Sequence, residues 1–130
     1  MKLGRGALPP PRFRMKEAQK DDPAYVGDIR LEISRMRKFT HGMTKAQFMR
    51  NELVCHAVER CIEIIGEAAR NVSEEFRQKH PQVEWKKIIA MRNLIIHAYG
   101  RVDYNLVWEV VEKDIAELEK QLDAAAKEEK

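Results

Sequence analysis

Long hydrophobic runs are missing from this 130-residue chain. No stretch approaches the roughly 20 consecutive apolar residues that a membrane-crossing helix needs. Cysteine is scarce: Cys55 and Cys61 are the only two, too few for a disulfide-built scaffold. Six glycines and five prolines exclude a collagen-like chain, and Pro9, Pro10 and Pro11 use up three of the prolines near the start. No period-2 run of β-branched residues marks a strand, and no segment repeats. His41, His56, His80 and His97 do not group with the cysteines at zinc-ligand spacing, so no metal and no cofactor are expected. No apolar stretch of 7–15 residues follows the basic start, so a secretory signal is not expected and a reducing cytoplasm is.

With 44% hydrophobic and 35% charged residues, the chain can bury a core and keep a charged surface. Its length suits one domain. The formal charge of +3 and pI near 8.9 invite a nucleic-acid reading, but the charge is unevenly placed. Lys2, Arg5, Arg12, Arg14, Lys16 and Lys20 stand against Glu17 alone in the first twenty residues, a net of +5. The other 110 residues hold 18 basic and 20 acidic groups, a net of −2. Residues 1–21 therefore read as a disordered basic leader, with Met15 as a second possible start.

Residues 22–125 read as one all-α domain: an antiparallel up-and-down four-helix bundle with a short extra helical turn. Asp22 and Pro23 open the first helix, which carries Tyr25, Ile29, Ile33, Met36 and Phe39 at three- and four-residue steps and stops near Gly42. Thr44 and Gln47 form a capping box, with Met43 and Phe48 as its staple. From there Val54, Val58, Cys61, Ile65, Ala68 and Val72 make one stripe through about eight turns, with both cysteines as core residues. Gly66 admits a neighbouring backbone. Ser73 starts a short turn that His80 and Pro81 close. A third helix spans residues 83–98 and stops at Gly100. Asp103 caps the fourth, carrying Tyr104, Trp108, Val111, Ile115, Leu118 and Leu122, and residues 126–130 are a fraying tail.

The third helix carries residues that packing alone does not explain. At 100° per residue, Trp85, Ile88, Ile89, Ile95, Ile96 and Tyr99 all fall within about 60° of Arg92, which places a cation inside an apolar arc. Such a cation needs a partner, for which Asp28 and Glu67 are candidates, or a cleft that holds an anion. A guanidinium fork suits phosphate oxygens. His97 falls in the last turn, where the helix dipole favours imidazolium and general-acid chemistry near neutral pH.

Arg92, four residues, His97, one residue, Tyr99 follows a Trp85-Lys-Lys-Ile start, with Ile64-Ile-Gly-Glu-Ala-Ala69 and His80-Pro81 upstream and Val102-Asp103 and Val107-Trp108 downstream. This ordered set closely resembles the HepT-like toxins of the HEPN superfamily over residues 25–122. The resemblance implies a metal-independent ribonuclease that acts as a toxin on an RNA substrate. Its implied partner is a minimal nucleotidyltransferase antitoxin (MntA-like). Arg92 and His97 match the catalytic pair, and Asn93 matches the polar residue that follows the arginine. Tyr99 matches the tyrosine to which the antitoxin transfers AMP from ATP. Gly100 departs from the bulkier or polar residue of the family pattern.

In that chemistry the substrate's 2′-hydroxyl attacks phosphorus, Arg92 stabilises the phosphorane charge and His97 moves a proton. An ideal helix points Arg92 and His97 about 140° apart. Either the helix end distorts or the site is composite across a two-fold homodimer, and the dimer is the expectation. The alternative function is a non-catalytic helical partner subunit of a nucleotidyltransferase.

Overall fold

The computed structural model describes residues 20–96 and 100–128. Most of the helices begin where a short polar side chain replaces the missing backbone acceptor of the first turn. Asp21, and not Asp22, caps α1 (Asp22–Thr40), accepting from the Ala24 amide at 2.9 Å. Asp22 is turned outward to accept from the Ser73 amide and hydroxyl at 2.8 and 2.7 Å, joining two helix starts 51 residues apart. Ser73 in turn caps α4 (Glu74–Lys79).

The expected capping box is present, Thr44 and Gln47 exchanging both hydrogen bonds. It opens only the short α2 (Lys45–Met49) and not an eight-turn helix. Asn51 interrupts the stripe by accepting from the Val54 amide at 3.1 Å and starts α3 (Glu52–Asn71). α5 (Trp85–Leu94) is likewise shorter than the span expected for it. β-Branched Ile95 and Ile96 leave the helix, Ile96 pairing across an isolated antiparallel bridge with Val102. The Asp103 amide then donates to the Ile95 carbonyl at 2.6 Å, and Asp103 caps α6 (Tyr104–Glu109) as expected. One π-helical turn (Val110–Asp114) joins α6 to α7 (Ile115–Glu128). That wider turn moves the buried phase to Val110 and leaves Val111 half-buried.

Four long segments thus form the all-α bundle: α1, α3, α5 and the continuous α6–α7. The second, α3, is the central element, with α1 along one side and α5 along another. It buries Val58, Cys61, Ile65, Ala68 and Val72 of the predicted stripe. α1 buries Ile29, Ile33 and Met36, while Phe39 turns partly outward and Thr40 closes the face, its hydroxyl donating to the Met36 carbonyl. Phe48 and Trp108 stack 5.1 Å apart beneath them. α7 lies against α1 through two exposed ion pairs, Arg30–Asp123 and Arg37–Glu119. Exposed pairs contribute about 0–1 kcal/mol each. Burial of Leu118 and Leu122, at roughly 1.5–3 kcal/mol per side chain, does most to hold α7. The helix continues through Glu128, into the stretch expected to fray, where Glu128 meets the buried His80 imidazole at 2.8 Å and accepts from Gln82 at 3.2 Å.

Both thiols are buried and free. Cys55 donates to the Phe48 carbonyl. Burial, followed by its hydrogen bond to Glu32, pushes the Cys61 thiol up to about 12. Neither offers a thiolate nucleophile near neutral pH.

α5 crosses α3 at Gly66, but with room to spare: a methyl group there would lie 3.6 Å from the Ile88 carbonyl oxygen and 3.7 Å from that of Ile89. Those are ordinary contacts, so Gly66→Ala keeps the crossing and gains helix propensity of about 1 kcal/mol. Gly66→Leu overfills it, at a cost of roughly 1–3 kcal/mol. Urea unfolding of the two variants checks this, and a destabilised alanine variant would contradict the packing described.

Candidate active site

A cavity of about 530 Å³ opens beside the α3–α5 crossing. Gly66, Ile64 and Ala68 of α3 and Ile89 of α5 line its apolar part, and α1 contributes Tyr25 and Asp28. Arg92 and Asn93 both open into it from the last turn of α5.

The charges in this cavity divide unevenly. Its acids are Asp28, Glu63 and Glu67, and its cations are Lys20, Arg60, Arg70 and Arg92. Lys20 binds Asp28 at 2.8 Å, Arg60 binds Glu63 at 3.2 Å, and Arg70 pairs with Glu67. Each acid therefore has its own cation. Arg92 makes no ion pair with any described residue, and is the surplus positive charge of the cavity. Asp28 and Glu67, the expected partners of Arg92, share its cavity but are engaged elsewhere. What this site offers is an uncommitted guanidinium beside an amide side chain, a combination suited to an anionic oxygen.

Arg92 does not sit in the middle of an apolar arc. Trp85, Ile88 and Met91 form the buried face of α5, and Arg92 is exposed on its flank. The expected arc assumed a helix continuing to Tyr99. Because α5 ends at Leu94, Ile95 and Ile96 no longer belong to that wheel. Leu94 is 60% exposed, so α5 is a flanking helix and not the central one.

His97 and Tyr99 lie outside the described residues. The segments on either side of them are placed: the Ile96–Val102 bridge and the Asp103–Ile95 hydrogen bond hold the two ends of that connection together at the end of α5. Gly100 has φ +81°, the left-handed conformation glycine tolerates. The 140° separation of Arg92 and His97 also presumed a continuous helix, so it no longer constrains the pair.

A second polar cluster lies along α3. The Tyr104 hydroxyl donates to Glu59 at 2.7 Å and lies 3.2 Å from His56 Nδ1. Burial, and then the Glu59 hydrogen bond, push the Tyr104 phenol well above its ordinary range. Nothing in the sequence reading singled out this group. The available signal was the three- and four-residue spacing of His56, Glu59, Arg60, Glu63 and Glu67, which puts them on one polar side of α3. Among the described residues, no group of three or more His, Cys, Asp and Glu could hold a metal ion, and no helix is long and apolar enough to cross a membrane.

The sequence profile of the family described as ribonuclease HepT-like matches residues 29–125. This chain belongs to the HepT-like ribonuclease family. Among the relatives it resembles is the protein named "Putative RNase MJ1380" of Methanocaldococcus jannaschii, 35% identical over 106 residues, which span 82% of this chain and 97% of the relative. "Putative RNase TTE0752" of Caldanaerobacter subterraneus subsp. tengcongensis is 39% identical over 106 residues, 82% of this chain and 95% of its own. "Probable ribonuclease HepT" of Thermococcus cleftensis is 36% identical over 104 residues, 80% and 92% of the two chains. No solved structure matches the chain. The HepT-like region includes Arg92, Asn93, His97 and Tyr99, and the basic leader falls wholly before it.

Proposed function

We infer that this HepT-like chain is a metal-independent RNA endonuclease, the toxin of a toxin–antitoxin pair acting in the cytoplasm. The observation that carries the reading is Arg92, a guanidinium with no carboxylate of its own in a cavity where each acid is already paired. In RNA cleavage by the substrate's own 2′-oxygen, the 2′-O–P bond forms, the P–O5′ bond breaks, and a 2′,3′-cyclic phosphate remains. Arg92 neutralises the charge that builds on the phosphorane oxygens. Asn93 orients the phosphate, and His97 donates the proton that the departing 5′-oxygen needs. Because the nucleophile is part of the substrate, the chemistry requires no metal to generate it.

The regulatory half of the reading places an AMP on Tyr99, transferred from ATP by a nucleotidyltransferase antitoxin of the MntA-like type. The working unit is a homodimer with a composite site. Leu53 and Leu94, 80% and 60% exposed, support it as apolar residues left without cover in the single chain.

The test is RNA cleavage by the purified chain in excess EDTA. Wild type is expected to cleave and His97→Ala to be inactive with an unchanged helical spectrum. A protein that copurifies with a nucleotidyltransferase but never cleaves RNA would be the non-catalytic partner subunit instead. Co-assembled Arg92→Ala and His97→Ala chains are expected to regain activity, since one protomer keeps each residue. No recovery from a verified heterodimer would contradict the composite site.

A further inference from the structure

Cleavage by a 2′-oxygen moves two protons, one off the nucleophile and one onto the leaving group, and Arg92 is too basic to carry either. His97 accounts for one. The cluster on α3 holds a second imidazole. Counting α3 at 100° per residue, His56 lies within about 40° of Arg60, Glu63 and Glu67, all three of which line the cavity that holds Arg92. α5 runs antiparallel to α3: its first residue, Trp85, packs on Phe76 of α4, and its end joins Asp103, beside the Tyr104 that reaches His56. With Gly66 opposite Ile88 and Ile89, Arg92 stands near the level of Glu63. His56 is then about two turns further along the same face, roughly 10 Å at 1.5 Å per residue. His56 does not line the cavity itself but follows Arg60 and Glu63 of its wall along the same face of α3, toward the helix start.

The hydrogen bonds around His56 also set its tautomer. A phenol has one proton, and Tyr104 gives it to Glu59 at 2.7 Å. The 3.2 Å contact between His56 Nδ1 and the Tyr104 oxygen is therefore made by an Nδ1–H donor, with Glu59 also 3.4 Å from that nitrogen. A neutral ring protonated on Nδ1 carries its lone pair on Nε2. The His56 side chain is 63% exposed, so that lone pair is open to a ligand. The charged and titratable groups around it are Glu59, Tyr104 and, one turn to either side on α3, Glu52 and Arg60.

We propose that His56 is a second catalytic residue of the RNA-cleaving site, the base that takes the 2′-hydroxyl proton, with Glu59 and Tyr104 as its positioning residues. The proposal rests on the ribonuclease reading above. His56 Nε2 accepts the 2′-proton as the 2′-oxygen bonds to phosphorus. His97 gives its proton to the departing 5′-oxygen, and exchange with water resets both rings.

The test is the pH profile of RNA cleavage in EDTA between about pH 5 and 9 for wild type, His56→Gln, Glu59→Gln, Arg92→Ala and His97→Ala, spanning the range where imidazoles titrate. His56→Gln is expected to lose about 10²–10⁴-fold in rate and to flatten the acid limb, where a base must be deprotonated. Glu59→Gln, whose amide oxygen can still accept from the Tyr104 hydroxyl, is expected to keep more activity than His56→Gln. Because His56 is exposed, its replacement leaves the core in place. Inactive Arg92→Ala and His97→Ala beside a His56→Gln of wild-type rate would overturn this proposal and leave the nuclease reading standing. A slower His56→Gln with an unchanged profile would also overturn it. A wild type that does not cleave overturns the nuclease reading and this proposal with it, and an Arg92→Ala as active as wild type overturns the placing of the site around Arg92 and this proposal with it.

Discussion

Replacing Arg92 by alanine is expected to lower RNA cleavage by about 10²–10³-fold while leaving stability almost unchanged. The rate loss corresponds to about 2.7–4 kcal/mol of transition-state stabilisation, the scale measured when one pre-placed donor to a developing oxyanion is removed. Stability is spared because Arg92 is exposed and has no ion-pair partner among the described residues, so truncation strands no buried charge. A structural arginine would behave differently. Breaking a buried pair costs about 3–5 kcal/mol of folding energy, and none of the cavity's acids depends on Arg92. Arg92→Lys should recover only part of the activity, because an ammonium supplies charge without the planar fork. Single-turnover cleavage combined with urea unfolding separates the cases. A destabilised but active Arg92→Ala would show that its role is structural.

Co-expression with a nucleotidyltransferase is expected to abolish cleavage and to add AMP to Tyr99. In that transfer the phenolic oxygen bonds to the α-phosphorus of ATP and pyrophosphate leaves, so a neutral hydroxyl becomes an anionic phosphodiester. Tyr99 is seven residues beyond Arg92, in the connection whose ends are pinned at the end of α5. A phosphodiester carried there is expected to compete with RNA for the cavity's surplus guanidinium. The other two tyrosines serve as internal controls. Tyr25 lines the cavity from α1, and Tyr104 is committed to Glu59. Intact-mass and peptide mass spectrometry should place the added AMP on Tyr99, and Tyr99→Phe should stay active and unmodified under co-expression. Modification of Tyr25 or Tyr104, or silencing of Tyr99→Phe, would contradict the assignment.

Three helix starts were legible because caps are local. Thr44 with Gln47, Ser73 and Asp103 each satisfy amides two to three residues away, so chain order suffices to find them. Helix ends and interruptions were less legible. The apolar 3.6-residue period runs unbroken through Asn51, where one side chain satisfies a new first turn and divides the stripe. It also runs on through Ile95 and Ile96, which form a bridge to Val102 that only the later segment reveals. The π turn at Val110–Asp114 shifts the phase of the last helix without any punctuating residue. At the site, the sequence marked Arg92 as out of place but gave the wrong surroundings. Whether a cation is paired depends on which acids reach it, and Lys20, Arg60 and Arg70 had taken them. His56 escaped notice because a lone histidine among acids on a polar helix face looks like ordinary surface. Tyr104, 48 residues away, is what fixes its ring.

The +3 belongs to the leader, and the rest of the chain nets −2. A surface of that kind does not gather RNA by bulk field, and the proposed site relies instead on the few groups inside the cavity. The most direct measurement is cleavage of a defined RNA in EDTA by wild type, Arg92→Ala and His97→Ala, each shown to be folded. Cleavage by wild type alone, ending in a 2′,3′-cyclic phosphate, is the predicted result. Equal cleavage by all three folded proteins would contradict the account.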